Sequence, residues 1–178
     1  MYFSPIAKMP LIHTSLWCRG IEKDVLPTCK ELGVGLVAYS PLGRGFFGGA
    51  HKKDLASDDY RKTQERFKQK DNLDMYEKVE EMAKSKNATP AQLALAWVEA
   101  QQDRAAGVVA IPGTTKEKNL MSNVGSLKID LTKDDLAALE SFVPDESTQA
   151  SRYNDDVATW ENDSTPELTE EQKKELGL

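Results

Sequence analysis

Between Val34 and Ala38 the chain runs apolar without polar interruption, behind Gly33 and ahead of the glycine-rich stretch Tyr39-Ser40-Pro41-Leu42-Gly43-Arg44-Gly45. A continuous apolar run, as opposed to an alternating one, predicts a strand buried on both faces in a parallel sheet. Upstream, Ile21, Val25, Cys29 and Leu32 recur at helical spacing, and Pro27 places the start of the regular helix near Asp24 to Leu26. Leu11 to Thr14, with Leu16, predicts a further strand on a less regular pattern.

Residues 50–71 carry Lys52, Lys53, Arg61, Lys62, Arg66, Lys68 and Lys70 among Asp54, Asp58, Asp59 and Glu65, and read as a mobile, solvated excursion. Leu73, Tyr76, Val79 and Ala83 then mark an amphipathic helix, with Lys84 and Lys86 suited to its negative end. Thr89-Pro90-Ala91-Gln92 spells a helix start: Thr89 caps, Pro90 needs no amide hydrogen at the first position, and Gln92 reaches back. The following segment, Leu93 to Ala100 with Trp97 inside, is apolar nearly all round and so predicts a buried helix. Val108 to Ile111 form another short strand, halted by Pro112-Gly113. Thr114 or Thr115 is placed to cap a helix through Asn123, and Thr132 with Asp135 opens a last one carrying Leu136, Leu139 and Val143. The order strand, helix, strand, long loop, helices, strand, helix, helix defines an α/β chain with parallel strands and crossover helices.

Composition changes this picture in one place. Of the net charge of −6, residues 145–178 contribute ten acids against Arg152, Lys173 and Lys174, a balance of −7 that leaves +1 for the other 144 residues. The chain therefore divides into a body, 1–144, and an acidic tail, 145–178. A neutral body argues against nucleic acid as a partner. No window approaches the roughly 18 apolar residues of a membrane span, and the first residues lack signal-peptide order, so a cytoplasmic location is expected. Cys18 and Cys29 cannot build a disulfide framework, and with His13 and His51 as the only histidines no metal site is expected.

Both clear strands deliver their polar and glycine content at the carboxyl end, the edge where ligands bind in parallel α/β folds. Glycines let backbone amides approach phosphate oxygens, a hydroxyl adds a bond, and Lys116 at a helix start adds a full charge. Gly43, Gly45 and Gly48 also spell G-x-G-x-x-G, but no amphipathic helix follows and no second strand ends in an acid, which argues against a Rossmann dinucleotide fold.

SLW at 15–17, GVGLVAYSPLGRGFFGG at 33–49, ATPAQLALAW at 88–97 and IPGTTKEKNLMSN at 111–123 together resemble the aldo-keto reductases, with likeness to the plant and fungal perakine reductase-like and auxin-induced branch. The resemblance extends over roughly residues 4–166, including TWENDSTP near the end. It implies a partial TIM (β/α)8 barrel, about strands 6 to 8 with their helices plus a C-terminal helix and tail, and NADPH as cofactor. By that resemblance Tyr39 stacks on the nicotinamide, and Ser40, Pro41, Leu42, Gly43, Arg44, Gly45 and Phe46 form the loop over the pyrophosphate. Gly113, Thr114, Thr115 and Lys116 surround the adenosine 2′-phosphate, and Asn119 and Asn123 face the adenine.

The departures from the family pattern are specific. Met9-Pro10-Leu11-Ile12-His13 holds no glutamine for the nicotinamide carboxamide, and neither His13 nor His51 matches the catalytic histidine. The family's catalytic Asp, Tyr, Lys and His belong to the first half of its barrel, so no catalytic residue is expected here. A full barrel takes roughly 250 residues, so this chain accounts for about three of eight strands. Both edges of such a sheet would be left unpaired and one apolar face uncovered. The expected function is NADPH-dependent reduction of an aldehyde or ketone, with this chain as the cofactor-binding fragment, a small carbonyl compound as substrate and a separate N-terminal half as possible partner. The alternative is a non-catalytic nucleotide-sensing subunit related to channel β subunits.

Overall fold

The computed structural model describes residues 9–52, 55–143 and residue 169; all of the acidic stretch 145–178 except Thr169 lies outside the described residues. Three strands, β1 (Leu11–His13), β2 (Leu36–Tyr39) and β3 (Val108–Ala110), form one sheet in the order β1-β2-β3. Both pairings are parallel, with Leu11 beside Val37 and Val37 beside Val109. The helices are α1 (Val25–Glu31), α2 (Lys70–Ser85), α3 (Pro90–Glu99), α4 (Glu117–Gly125) and α5 (Lys133–Phe142).

Local chemistry sets these boundaries. Thr89 and Gln92 form a complete capping box at α3, and Thr132 with Asp135 forms a second at α5. Each satisfies two amides that the first helical turn leaves without partners. The α3 segment from Leu93 to Val98 is buried throughout, as its all-round apolar sequence requires. Trp97 lies at its centre, and its indole donates to Glu140 Oε1 on α5 at 3.3 Å. Glu140 also accepts from Arg104 at 3.0 Å and pairs with Arg19 at 3.1 Å, so one carboxylate ties α5 to the segments flanking α1 and α3.

The structure corrects five expectations. β2 is covered on one face only: Leu36 and Ala38 are buried, while Val37 and Tyr39 are half-buried. An unbroken apolar run thus marks one core face and one apolar face that nothing described covers. Leu32 is exposed, as the C-cap beyond Glu31 where the helical stripe stops, and Leu26 joins Cys29 in the core. Residues 55–71 are not a solvated excursion but consecutive 3-10 turns, Tyr60–Thr63 and Glu65–Phe67, that bury Gln64, Arg66 and Phe67; α2 then begins at Lys70, ahead of its first apolar residue. Neither Thr114 nor Thr115 is the α4 cap: Lys116 occupies that position, and the Thr114 hydroxyl accepts from the Lys116 amide one turn early.

The fifth correction concerns the sheet edge. β3 is not left unpaired on its outer side, because the Gln102 side-chain amide accepts from Val108 N at 3.0 Å and donates to Val108 O at 2.6 Å. Glu99 Oε1 likewise accepts from Ala110 N at 3.2 Å. Two polar side chains thereby occupy backbone groups that would otherwise invite another strand. Gln102→Ala removes both bonds to a buried residue and is expected to cost about 1–3 kcal/mol. Urea denaturation should show the lower midpoint, with self-association rising at high protein concentration. An unchanged midpoint would contradict the capping role.

Candidate functional site

The loop after β2 is built on left-handed backbone: Ser40, Gly43, Arg44 and Gly45 have φ of 52, 56, 55 and 88°. Non-glycine residues adopt this region at a cost, so Ser40 and Arg44 are held there by their surroundings. The loop closes through consecutive tight turns, with Gly43 N donating to Ser40 O at 2.9 Å, Gly45 N to Leu42 O at 3.1 Å and Phe46 N to Gly43 O at 3.0 Å. These three amides are committed inside the loop. The glycines also provide clearance. A Cβ on Gly43 would lie 2.7 Å from Trp17 Cε3, and one on Gly45 would lie 3.2 Å from Arg61 Nη1.

An aromatic cluster anchors the loop from below. Phe46 is fully buried and stacks on Trp17 at 4.1 Å, with Phe47, Phe67, Tyr76 and His51 around it. Its side chain is therefore a core group, and only its backbone belongs to the loop surface. Trp17 Nε1 donates to Asn72 at 2.9 Å, and the Arg66 guanidinium lies 3.8 Å from the ring centre, a buried cation–π contact. Arg61 braces the loop's rim by donating to the Arg44 carbonyl at 3.3 Å. Asp59 orients Arg61 in turn, and hydrogen bonds from the Arg61 side chain, then from its amide, hold the Asp59 carboxyl down at about 2. Burial, and then Lys52, lowers the His51 pKa, which keeps that ring neutral within the cluster.

A small cleft of about 10 Å³, room for about one water, lies beside this loop, lined by His13, Ser15, Trp17, Gly43, Arg44, Arg66 and Phe67. His13 ends β1 and packs against Tyr39 at 5.1 Å. The Ser15 hydroxyl is fully buried with no hydrogen-bond partner among the described residues. Arg44 and Arg66 bring positive charge to this lining, with no carboxylate among its described residues. Ser15 stands in the SLW motif without an assigned role, and nothing in the local sequence pattern marks Arg61 or Arg66 as site residues. Arg61 and Arg66 were hidden in a charge run, and only an aromatic partner such as Trp17 distinguishes a buried arginine from a solvated one.

The second expected segment lies at the next strand end. Ile111 N donates to Ala38 O at 3.1 Å, which places the start of the Pro112-Gly113 loop beside Tyr39 and Ser40. Gly113, Thr114, Thr115, Lys116 and Asn119 are exposed, and nothing lies within 4 Å of a Cβ built on Gly113. Asn123 is half-buried on the same side of α4 as exposed Asn119. None of these six residues lines the cleft beside Arg44. Sheet register, not a common pocket wall, brings the two segments to one edge. Among the described residues no group of acids, histidines and cysteines could hold a metal. No described helix is long and apolar enough to cross a membrane.

This arrangement is an α/β fold with a parallel sheet and polar loops at its carboxyl edge. The model of the aldo/keto reductase family matches residues 9–144, and the chain belongs to that family. It is 46% identical over 162 residues to the probable aldo-keto reductase 1 of Glycine max, an alignment covering 87% of this chain and 46% of the relative. Among solved structures it resembles a thermostable aldo-keto reductase crystallised with the inhibitor epalrestat, at a TM-score of 0.53 and 29% identity. That match covers 74% of this chain and 38% of the crystallised one, so the chain spans less than half the length of either relative.

Two outcomes test the loop. Gly43→Ala adds left-handed strain and a clash with a fixed indole, and is expected to destabilise the fold by about 1–3 kcal/mol, read as a lower melting temperature. A melting temperature equal to that of the parent would remove the clearance argument. The Asp59 pKa lies below its ordinary 3.8, so its pairing with Arg61 supports the loop fully above that pH and is lost as pH falls through about 2. Carboxyl NMR of Arg61→Ala should show the Asp59 midpoint rising toward 3.8. A midpoint that stays where it was would assign the shift to another group.

Proposed function

We propose that this chain is the cofactor-binding part of an NADPH-dependent carbonyl reductase, corresponding to strands 6 to 8 of a (β/α)8 barrel. The observation that carries the reading is the Ile111–Ala38 hydrogen bond, which sets two polar loops side by side at one carboxyl edge. Residues there fit the group. Tyr39 presents a half-buried ring on the uncovered sheet face, Ser40 and Arg44 stand at its end, and Thr114, Lys116 and Asn119 lie exposed in open space.

When bound, NADPH supplies a hydride to the carbonyl carbon of an aldehyde or ketone. The residues of this chain do the holding. Tyr39 offers an apolar ring to one side of the nicotinamide and shields it from water. Ser40 and Arg44 offer a hydroxyl and a positive charge to the pyrophosphate, while the left-handed turns fix their backbone. Thr114, Thr115 and Lys116 meet the adenosine 2′-phosphate, which only NADPH carries, and Asn119 and Asn123 take the adenine edge. The proton donor to the product alkoxide is not among the residues of this edge, so the chain alone binds without turning over.

The test separates binding from chemistry. Fluorescence titration should show NADPH binding by the parent, and Lys116→Ala should weaken it about tenfold while leaving NADH nearly unchanged, the loss of one charged hydrogen bond. Equal loss for both nucleotides would move Lys116 away from the 2′-phosphate. Absorbance at the NADPH band with a reactive aldehyde should show no consumption above the blank, and sustained turnover would overturn the assignment of chemistry to another part of the barrel.

A further inference from the structure

The turns before α2 fold back over the glycine loop and grip one of its residues from two sides. At their far end Arg66 and Phe67 are buried against Trp17, which fixes the segment to the core. At the near end the Asp59 carboxylate accepts from the Arg61 amide at 3.0 Å and from Arg61 Nε at 2.9 Å. Lys62 N donates to Asp59 O at 3.0 Å and the Thr63 hydroxyl donates to Tyr60 O at 2.8 Å, so Tyr60 sits in a closed 3-10 turn.

Arg44 is the residue gripped. Arg61 donates to its carbonyl at 3.3 Å, and its guanidinium lies over the Tyr60 ring with Cζ 5.5 Å from the ring centre. The turn does not use that ring for packing: Tyr60 is 44% exposed, whereas Gln64, Arg66 and Phe67 are buried. A cation held by a ring face differs from one held by a carboxylate. The stack orders the guanidinium and its long stem, leaves the planar N–H edge outside the contact and does not neutralise the charge. The capping acid of the same turn, Asp59, is engaged by Arg61 through three hydrogen bonds, so its charge is matched there and not at Arg44.

We infer that Tyr60 is a positioning residue for Arg44: its ring holds the guanidinium ordered at the rim of the loop, where the charge meets the pyrophosphate of the cofactor. The inference rests on the cofactor reading above and adds to it a residue outside the glycine-rich motif. Neighbouring members of one turn thereby divide the work, Arg61 holding the main chain of Arg44 in its left-handed conformation and Tyr60 holding its side chain. Order established before binding raises affinity without adding a contact to the ligand, because a long, flexible side chain no longer has to be immobilised by it.

Isothermal titration of the full chain with two ligands tests it: NADPH, and adenosine 2′-monophosphate, which keeps the 2′-phosphate and the base but lacks the pyrophosphate. Tyr60→Leu, at an exposed position, should weaken NADPH about three- to fivefold and leave adenosine 2′-monophosphate unchanged, with the melting temperature of the parent. Tyr60→Phe keeps the ring and should bind NADPH as the parent does. In an Arg44→Met background Tyr60→Leu should bring no further loss, because the ring then has no cation to hold. Undiminished NADPH affinity in Tyr60→Leu overturns the inference. So does equal loss for both ligands, a lowered melting temperature, a Tyr60→Phe chain as weak as Tyr60→Leu, or the full loss recurring in the Arg44→Met background. A parent chain that binds neither ligand sinks the cofactor reading together with this inference, whereas a parent that binds NADPH no better than Tyr60→Leu does sinks the inference alone.

Discussion

The stack of Phe46 on Trp17 is the contact on which the rest of the molecule depends. It joins the turn after β1 to the loop after β2, and it draws in Phe67 and Arg66 from the turns before α2. Burying each such ring contributes about 1.5–3 kcal/mol, and each favourable ring pair adds about 0.5–1.5 kcal/mol. Those gains hold Ser40 and Arg44 in left-handed conformations that they would leave if free. The rigid loop is thus a consequence of the hydrophobic core directly beneath it.

This division of labour explains why polar groups at the carboxyl edge can face outward. Core formation uses the aromatic side chains and the turn amides, whereas the side chains of Ser40, Arg44, Thr114 and Lys116 lie outside the core. Arg61 fixes the Arg44 carbonyl, Asp59 orients Arg61, and the Arg44 guanidinium lies 5.5 Å from the Tyr60 ring centre. The sheet supplies the second constraint, because parallel register delivers the ends of β2 and β3 to one line.

Periodicity made α2, α3 and α5 legible, since capping chemistry and apolar spacing are local properties. The capping boxes at Thr89 and Thr132 formed as their spacing required. What was not legible depends on contacts between distant residues. Charge density around Arg61 and Arg66 suggests solvent, yet Trp17, far away in the chain, turns Arg66 into a buried group. The glycines at 43 and 45 read in sequence as a phosphate loop, and their clearance for Trp17 and Arg61 is visible only in three dimensions. Gln102 and Glu99 gave no pattern at all, because closing a strand edge with side chains requires only that a loop fold back. Of the candidate site, the family motifs fall in the two loops that follow β2 and β3, and the cleft beside Arg44 became visible only in three dimensions.

The central claim is that the ends of β2 and β3 serve one dinucleotide together. Amide chemical-shift mapping with NADPH on the labelled chain tests it most directly. The account predicts that residues 39–45 and 113–123 shift in parallel, with one common dissociation constant. Shifts confined to one segment, or two segments saturating at different concentrations, would contradict it.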